Sequence, residues 1–115
     1  MALVFKIVPA DLWHAAERDG VFRGASVDIG DGYIHLSTAT QVRETAARHF
    51  LGQAELLLVA YDGPGLGSAL KWEPSRGGAL FPHLYGTLDP RTARWVKKLP
   101  LGRDRKHLFP ALDEN

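Results

Sequence analysis

The sequence predicts an α+β fold with a mixed, mostly antiparallel β-sheet and two main helices. Two observations lead to this prediction: the segments with strand character outnumber those with helical character, and the helical segments come early in the chain. A parallel sheet would instead require strands and helices to alternate along the whole chain.

The size and composition are those of one globular domain over residues 1–115. The chain has 115 residues, of which 45% are hydrophobic and 23% are charged. Such a composition can form a core without disulfides or structural metals. The sequence contains no cysteine, which excludes disulfides, thiolate zinc sites and cysteine nucleophiles.

The charge balance argues against nucleic acid or a membrane surface as the main partner. Fourteen basic and thirteen acidic side chains leave a formal net charge of +1. The N-terminal apolar run is broken by Lys6 and Pro9, and it is too short for a signal peptide or a membrane span. A cytoplasmic location is the resulting expectation, while the oligomeric state stays open.

The first strand and the first helix are predicted from residues 3 to 20. Leu3–Val8 is an apolar, β-branched run that contains a single lysine, and Pro9 ends it. Asp11 lies where a helix N-cap is expected, and Gly20 is expected to end the helix. Residues 25–31 are expected to be a loop or a short extended segment.

The second strand is predicted over Tyr33–Leu36, followed directly by the second helix. Ser37, Thr38 and Thr40 offer caps for a helix that runs to about Phe50, and Thr38 with Gln41 matches a capping box.

The strands of the second half follow from apolar runs. Glu55–Tyr61 contains the continuous run LLLVA and is predicted to be central in the sheet. Further strands are expected at 69–73, 84–88 and 93–99, with Trp95 pointing inward. The C-terminal tail is expected to pack back on the body through Leu108 and Phe109.

Lys71–Gly86 is the segment with the clearest functional character. A connecting loop favours small and solvent-exposed residues, whereas this one combines large aromatics with an acid, a guanidinium and an imidazole. This mixture is typical of a ligand-binding pocket. The residues concerned are Trp72, Glu73, Arg76, Phe81, His83 and Tyr85.

The run Phe81-Pro82-His83-Leu84-Tyr85 favours a functional interpretation. Pro82 restricts its own backbone and that of Phe81, so the entry into the next strand is stiff. In an extended run, His83 and Tyr85 lie on one face and Leu84 on the other. An imidazole and a phenol would then be presented together as catalytic or ligand-binding groups.

Glu73 has two interpretations that the residues alone leave open. A carboxylate at the end of a strand can act as a base or orient a ribose hydroxyl. Alternatively, Glu73 and Arg76 form a surface ion pair worth less than about 1 kcal/mol. Trp72 is expected to lie in the core rather than to form a stacking platform, because tryptophan is a large source of buried area.

His35 lies directly before the predicted start of the second helix. Free backbone N–H groups and the hydroxyls of Ser37 and Thr38 could bind a phosphate there, with His35 as a further donor. The alternative, which the residues alone favour, is that Ser37 and Thr38 only cap the helix and that His35 is structural.

No metal is expected, and several common catalytic motifs are absent. His35, His83 and Glu73 have donor atoms suited to zinc or iron, but no two of them show a short ligand spacing. The sequence contains no GxSxG, no P-loop and no GxGxxG.

Four segments together resemble the bacterial family known as domain of unknown function 952. They are DGYIHLST (31–38), QVRETAARHF (41–50), LLLVAYD (56–62) and LKWEPSRGGALFPHLYGTL (70–88). The resemblance extends from Phe5 to about Leu99, and its "IHLS" and "WE…FPHLYG" motifs are quite specific.

The resemblance implies an ADP-ribosyltransferase-like fold, in which a cleft between two small sheets holds NAD. In such enzymes an early-strand histidine or arginine contacts the nicotinamide ribose, and a glutamate positions the reacting sugar. By this analogy His35 is the early-strand residue and Glu73 the acid, although Glu73 comes earlier in the chain than that glutamate usually does. Fold-level analogy does not supply a reaction.

The leading hypothesis is a domain that binds a nucleotide or another phosphate-bearing small molecule, NAD- or ADP-ribose-like, in a cleft. His35, Glu73 and His83 are the candidate catalytic residues for a transfer or hydrolysis. The candidate ligand-binding residues are Ser37, Thr38, Trp72, Arg76, Phe81 and Tyr85. A non-catalytic ligand-sensing or protein-interaction module is the alternative, and a metal-dependent enzyme is a weaker third. No cofactor is specified.

Overall fold

The structure is a computed structural model that describes residues 2–112, apart from the side chain of Arg76. Within these residues the strands form two three-stranded sheets, and every strand pair is antiparallel. Three α-helices accompany them. The predicted α+β class and the antiparallel pairing are confirmed.

The first sheet has the strand order β1-β3-β6, with β1 over Leu3–Pro9, β3 over Leu56–Asp62 and β6 over Trp95–Lys98. The central position predicted for the LLLVA run is confirmed. Both faces of this strand are buried: Leu57, Val59 and Tyr61 belong to one core cluster, and Leu56, Leu58 and Ala60 to another. This double burial explains why its sequence is continuously apolar rather than alternating.

Helices cover the two faces of the first sheet. Helix α1 (Ala10–Asp19) packs Trp13 and Ala16 into the first cluster, and ends at Gly20 as predicted. Its N-cap is Pro9, so Asp11 instead lies in the first turn. Helix α3 (Val42–His49) packs on the other face together with Phe109 and Leu112 of the tail. The tail therefore returns to the body, although Leu108 is exposed.

The second sheet has the order β2-β5-β4, with β2 over Ile34–His35, β5 over Ala79–Leu84 and β4 over Leu70–Ser75. Residues 79–83, which lie between the strands predicted at 69–73 and 84–88, belong with Leu84 to the central strand of this sheet. Of the strand predicted over 84–88, only Leu84 lies in β5, as the last residue of that strand. Phe81 and Pro82 thus lie within the strand rather than leading into it, and Tyr85 lies just after it.

Residues 26–31 form a third helix, α2 (Ser26–Asp31), where the sequence predicted a loop or an extended segment. Its hydrophobic pattern is inverted, since Asp28 is buried while Val27 and Ile29 are exposed. A helix whose inward residue is an aspartate gives no apolar stripe, which is the signal that helix prediction relies on.

The segment after β2 joins the two sheets. Phe5 in β1 and Ser37 exchange two backbone hydrogen bonds of 2.8 and 3.0 Å, while Leu36 donates its N–H to the carbonyl of Pro82 in β5 at 3.0 Å. The chain thus passes from the second sheet to the first within a few residues. This crossing places β1, α2 and β2 next to one another.

Candidate functional site

The register of the second sheet brings His35, His83 and Glu73 to one face. His35 pairs directly with His83, and Glu73 pairs with Phe81, two residues before His83. Directly paired residues and residues two apart share a face of a sheet. Tyr85, just after β5, continues this face. We call the surface formed by Tyr33, His35, Glu73, His83 and Tyr85 the two-histidine face.

Glu73 is the hydrogen-bond centre of one half of this face. Its Oε1 lies 2.8 Å from Nδ1 of His83 and accepts a 2.8 Å hydrogen bond from the hydroxyl of Tyr85. The hydrogen bond from His83, followed by that from Tyr85, lowers the pKa of Glu73 from its usual value. The hydrogen bond to Glu73 in turn raises the pKa of Tyr85. Glu73 is therefore an ionised acceptor at neutral pH.

The two members of the His83–Glu73 pair differ in accessibility. The side chain of His83 is 6% exposed, whereas that of Glu73 is 38% exposed. Because an ionised carboxylate only accepts hydrogen bonds, Nδ1 of His83 carries the proton in this contact. An incoming molecule would therefore contact Glu73, while the buried His83 holds the Glu73 carboxylate in place through its hydrogen bond.

Tyr33 connects the two histidines. Its ring is stacked on that of His83 with the centroids 4.2 Å apart, and lies 4.6 Å from His35 and 5.2 Å from Tyr85. Burial, followed by the charges of Asp31 and Glu73, raises the pKa of Tyr33. Tyr33 is not among the site residues predicted from the sequence. Its position two residues before His35 in an extended run was the available signal.

His35 is held by two carboxylates of α2. Its Nδ1 lies 2.6 Å from Oδ1 of Asp28, and its Nε2 lies 2.9 Å from Oδ2 of Asp31. The backbone N–H of His35 also donates to Oδ1 of Asp28, at 3.0 Å. Residue 35 is therefore fixed in both backbone and ring, and its side chain is 34% exposed.

Asp28 is a buried anchor that sequence reasoning missed. The residue is only 1% exposed, and its Oδ2 lies 2.8 Å from Nζ of Lys6 and accepts a 2.8 Å hydrogen bond from the N–H of Ala25. Burial alone would raise the pKa of Asp28, but the hydrogen bond from His35 and the charge of Lys6 hold it below its usual range. The carboxylate is therefore ionised and acts as an acceptor for all its partners.

Lys6 is the signal from which this anchor could have been found. It interrupts an otherwise apolar strand and is 6% exposed. A lysine at such a position needs an anion and hydrogen-bond acceptors, because a buried unpaired charge is very costly. Its Nζ donates to Asp28 and to the carbonyl of His35 at 3.1 Å. Burial nevertheless lowers the pKa of Lys6, against the effect of Asp28.

Ser37 and Thr38 do not join the two-histidine face. The hydroxyl of Ser37 forms a 2.9 Å hydrogen bond with that of Thr45, and the backbone N–H of Ser37 donates to the carbonyl of Phe5. The N–H of Thr38 donates to Oε1 of Gln41 at 3.0 Å, which is one half of the predicted capping box. The prediction that the helix starts at these residues was wrong, since α3 begins at Val42. Their ligand-binding role stays a prediction without support from this arrangement.

Trp72, Phe81 and Arg76 complete the set of predicted site residues. Trp72 is 46% exposed and pairs with Pro82, so it lies on the sheet face opposite to His83. The expectation that Trp72 is in the core was therefore wrong. Phe81 is buried on the same face as Glu73 and supports it. The side chain of Arg76 lies outside the described part of the structure, and with it the proposed Glu73–Arg76 pair.

Two further features bear on the kind of site. Among residues 2–112 no group of three or more histidine, aspartate and glutamate side chains could hold a metal ion. A cavity of about 310 Å³ lies elsewhere, between α3 and the tail, and is lined by Arg43, Ala46, Ala47, Leu51, Lys106, His107, Leu108 and Phe109.

No described helix is long and apolar enough to cross a membrane.

The chain belongs to the family described as "Protein of unknown function (DUF952)", which matches residues 7–96. It is similar to a crystal structure of protein CC0527 from Caulobacter crescentus, with 46% identity and a TM-score of 0.89 over 92% of this chain and 93% of that one. A solution NMR structure of CC0527 is also similar, with 47% identity and a TM-score of 0.82 over 90% of each chain. No curated protein matches the chain.

Proposed function

We propose that this member of the family binds a nucleotide or a related phosphate-bearing small molecule, NAD- or ADP-ribose-like, on the two-histidine face. The observation that supports this is the convergence of His35, Glu73 and His83, which lie on three different strands, on one face of the second sheet, where His35 and Glu73 are partly exposed. On the same face the pKa values of Glu73, Tyr33 and Tyr85 are shifted, and clusters of such groups are typical of functional sites.

The chemistry of the exposed groups fits a hydroxyl-rich ligand. Glu73 presents an ionised carboxylate whose geometry is fixed by His83 and Tyr85. Such a carboxylate accepts hydrogen bonds from ribose hydroxyls. Tyr33 and Tyr85 add aromatic surface beside it. An ADP-ribosyltransferase-like arrangement, with the ligand between two small sheets, is part of the proposal.

If a reaction takes place, hydrolysis of an N-ribosyl bond is the class that these groups favour. With NAD, water would attack the anomeric carbon, the C–N bond would break with its electron pair going to the pyridinium nitrogen so that neutral nicotinamide leaves, and the water proton would pass to Glu73 or to solvent. The lowered pKa of Glu73 makes it a weak general base, since an efficient base has a pKa near the working pH.

That same lowered pKa favours the second candidate, a non-catalytic ligand-sensing module. A carboxylate that stays ionised and rigidly placed orients a ligand well without taking up a proton. Under this alternative, binding occurs without turnover. The two candidates share the site and differ only in whether product is formed.

Thermal-shift titration of the wild-type protein with NAD, ADP-ribose and adenine nucleotides tests the proposal. A ligand bound at 100 times its Kd stabilises the folded state by about 2.7 kcal/mol, which raises Tm measurably. We expect Glu73→Ala and His35→Ala to lose this shift, whereas the control His14→Ala, at an exposed position of α1, retains it. Chromatographic detection of free nicotinamide then separates enzyme from sensor.

Two results would contradict the proposal. One is the absence of any shift with millimolar ADP-ribose, NAD or nucleotide. The other is an equal shift in the wild type, Glu73→Ala and His35→Ala, which would place the ligand elsewhere.

A further inference from the structure

Each ring nitrogen of His35 faces a carboxylate oxygen, Nδ1 that of Asp28 at 2.6 Å and Nε2 that of Asp31 at 2.9 Å. The protonated form of the ring donates at both nitrogens and so satisfies both carboxylates. In that form His35 and Lys6 are two cations that share the single buried carboxylate of Asp28, and Asp31 supplies a second anion beside them.

Asp31 is much less buried than Asp28. Its side chain is 49% exposed, whereas that of Asp28 is fully enclosed. Asp31 is also the last residue of α2, a helix end at which a negative charge is mildly unfavourable and which has no basic residue in its last turn. Its contact with Nε2 of His35 offsets this disadvantage.

The carboxylate of Asp31 in this exposed ion pair can readily be replaced by another anion. Such pairs contribute little to stability, because water solvates both partners when they separate. The Nε2–H of His35 is therefore accessible to an external anion at little cost. The Nδ1 contact with the enclosed Asp28 would keep the ring in place during the exchange.

We propose that Asp31 is an internal stand-in for an anionic group of the ligand, which displaces it from Nε2 of His35. The group has anionic oxygens, as a phosphate has, and it balances the charges of Lys6 and His35 in place of Asp31. This inference rests on the proposed ligand site and deepens it, because it assigns the phosphate end of the ligand to His35 and leaves Glu73 for the hydroxyls.

The test compares two aspartates at equivalent helix ends. Asp31→Ala removes the stand-in, and Asp19→Ala removes an exposed carboxylate from the last residue of α1, which is also followed by a left-handed glycine. Inorganic phosphate is titrated at pH 6 while the ring nitrogen signals of His35 are followed by NMR. We expect phosphate to bind Asp31→Ala roughly five- to tenfold more tightly than the wild type, with Asp19→Ala unchanged.

The double variant Asp31→Ala/His35→Gln separates a local site from a general charge effect. It should lose the gained affinity, because the donor at residue 35 is changed. Equal phosphate affinity in Asp31→Ala and Asp19→Ala overturns the proposal, as does a gain that survives in the double variant. If Asp31→Ala does not fold, Asp31→Asn replaces it, and an affinity equal to that of the wild type has the same meaning.

Failure of this inference and failure of the proposed function give different results. If phosphate binds at His35 in Asp31→Ala but neither protein binds ADP-ribose, the stand-in role holds and the proposed ligand is wrong. If ADP-ribose binds the wild type and Asp31→Ala equally well, the ligand site holds and the stand-in role is wrong.

Discussion

Gly24 lies so close to Asp28 that a β-carbon on residue 24 would come within 2.8 Å of the Cβ of Asp28. Gly24 also has a φ of +121°, which L-residues with a side chain rarely adopt. The approach is needed because the N–H of Ala25, the next residue, donates to Asp28. The absence of a side chain at residue 24 therefore helps to hold the buried anchor of the site.

Gly24→Ala is accordingly expected to destabilise the protein by roughly 1–3 kcal/mol, through backbone strain and displacement of Asp28. Gly30→Ala is the matched control, since Gly30 lies within α2 and its added β-carbon would meet no atom within 4 Å. That control should be neutral or stabilising by up to about 1 kcal/mol. Urea unfolding of both variants measures the difference, and equal stabilities would contradict the role of the close approach.

Asp28→Asn is expected to cost about 3–5 kcal/mol, because it leaves the ammonium group of Lys6 buried without an anion. Asp19→Asn, at an exposed position, should change the free energy of unfolding by less than about 0.5 kcal/mol. Adding Lys6→Met to Asp28→Asn should recover part of the loss, since the unpaired charge is then removed. No recovery in the double variant would show that the two charges are not energetically coupled.

Glu73→Gln is expected to reduce stability in a way that depends on pH. The folded-state pKa of Glu73 is lowered from 4.5, so its stabilising contribution is fully present above pH 4.5 and is lost as the pH falls through the folded pKa. The difference in Tm between the wild type and Glu73→Gln should therefore shrink below pH 4.5. The same measurement on Glu17→Gln, an exposed position of α1, is the control. A difference that stays constant with pH would argue against ionised Glu73 as the acceptor.

Tyr85→Phe is expected to raise the pKa of Glu73 only part of the way to its usual value. The hydroxyl of Tyr85 is removed, but the larger effect, the hydrogen bond from His83, remains. A ¹³C NMR titration of the Glu73 carboxyl measures this change. The control Tyr61→Phe removes a hydroxyl bonded to the carbonyl of Asp89 and should leave Glu73 unaffected. An unchanged Glu73 pKa in Tyr85→Phe would mean that the two groups do not interact in solution.

Trp72→Ala is expected to reduce stability by only about 1–2 kcal/mol, since the residue is about half exposed, and to leave ligand binding intact. The residue is exposed on the sheet face opposite to His83. Trp13→Ala, at a fully buried position of α1, should instead cost about 3–5 kcal/mol. Chemical denaturation and ADP-ribose binding are measured for both proteins. A loss of binding in Trp72→Ala would restore this residue to the site.

Sequence patterns predicted the first sheet better than the second. Strands β1 and β3 are buried and are made up mostly of apolar residues, so apolar runs alone predict their positions. Strand β5 does not, because Pro82 and His83 within it resemble a loop when taken singly. Only pairing with β2 on one side and β4 on the other makes them a central strand.

The sequence by itself determined the α+β class, the family and the central strand, and its patterns singled out His35, Glu73, His83 and Tyr85 as candidates for a site. Which of them meet was decided by the tertiary structure, because antiparallel register brings residues 35, 73 and 83 together across three strands. The tertiary structure also decided that Lys6, Asp28 and Asp31 surround His35. Such an array depends on contacts between β1, α2 and β2, and it leaves no periodic signal along the chain, since its four residues are divided among these three segments.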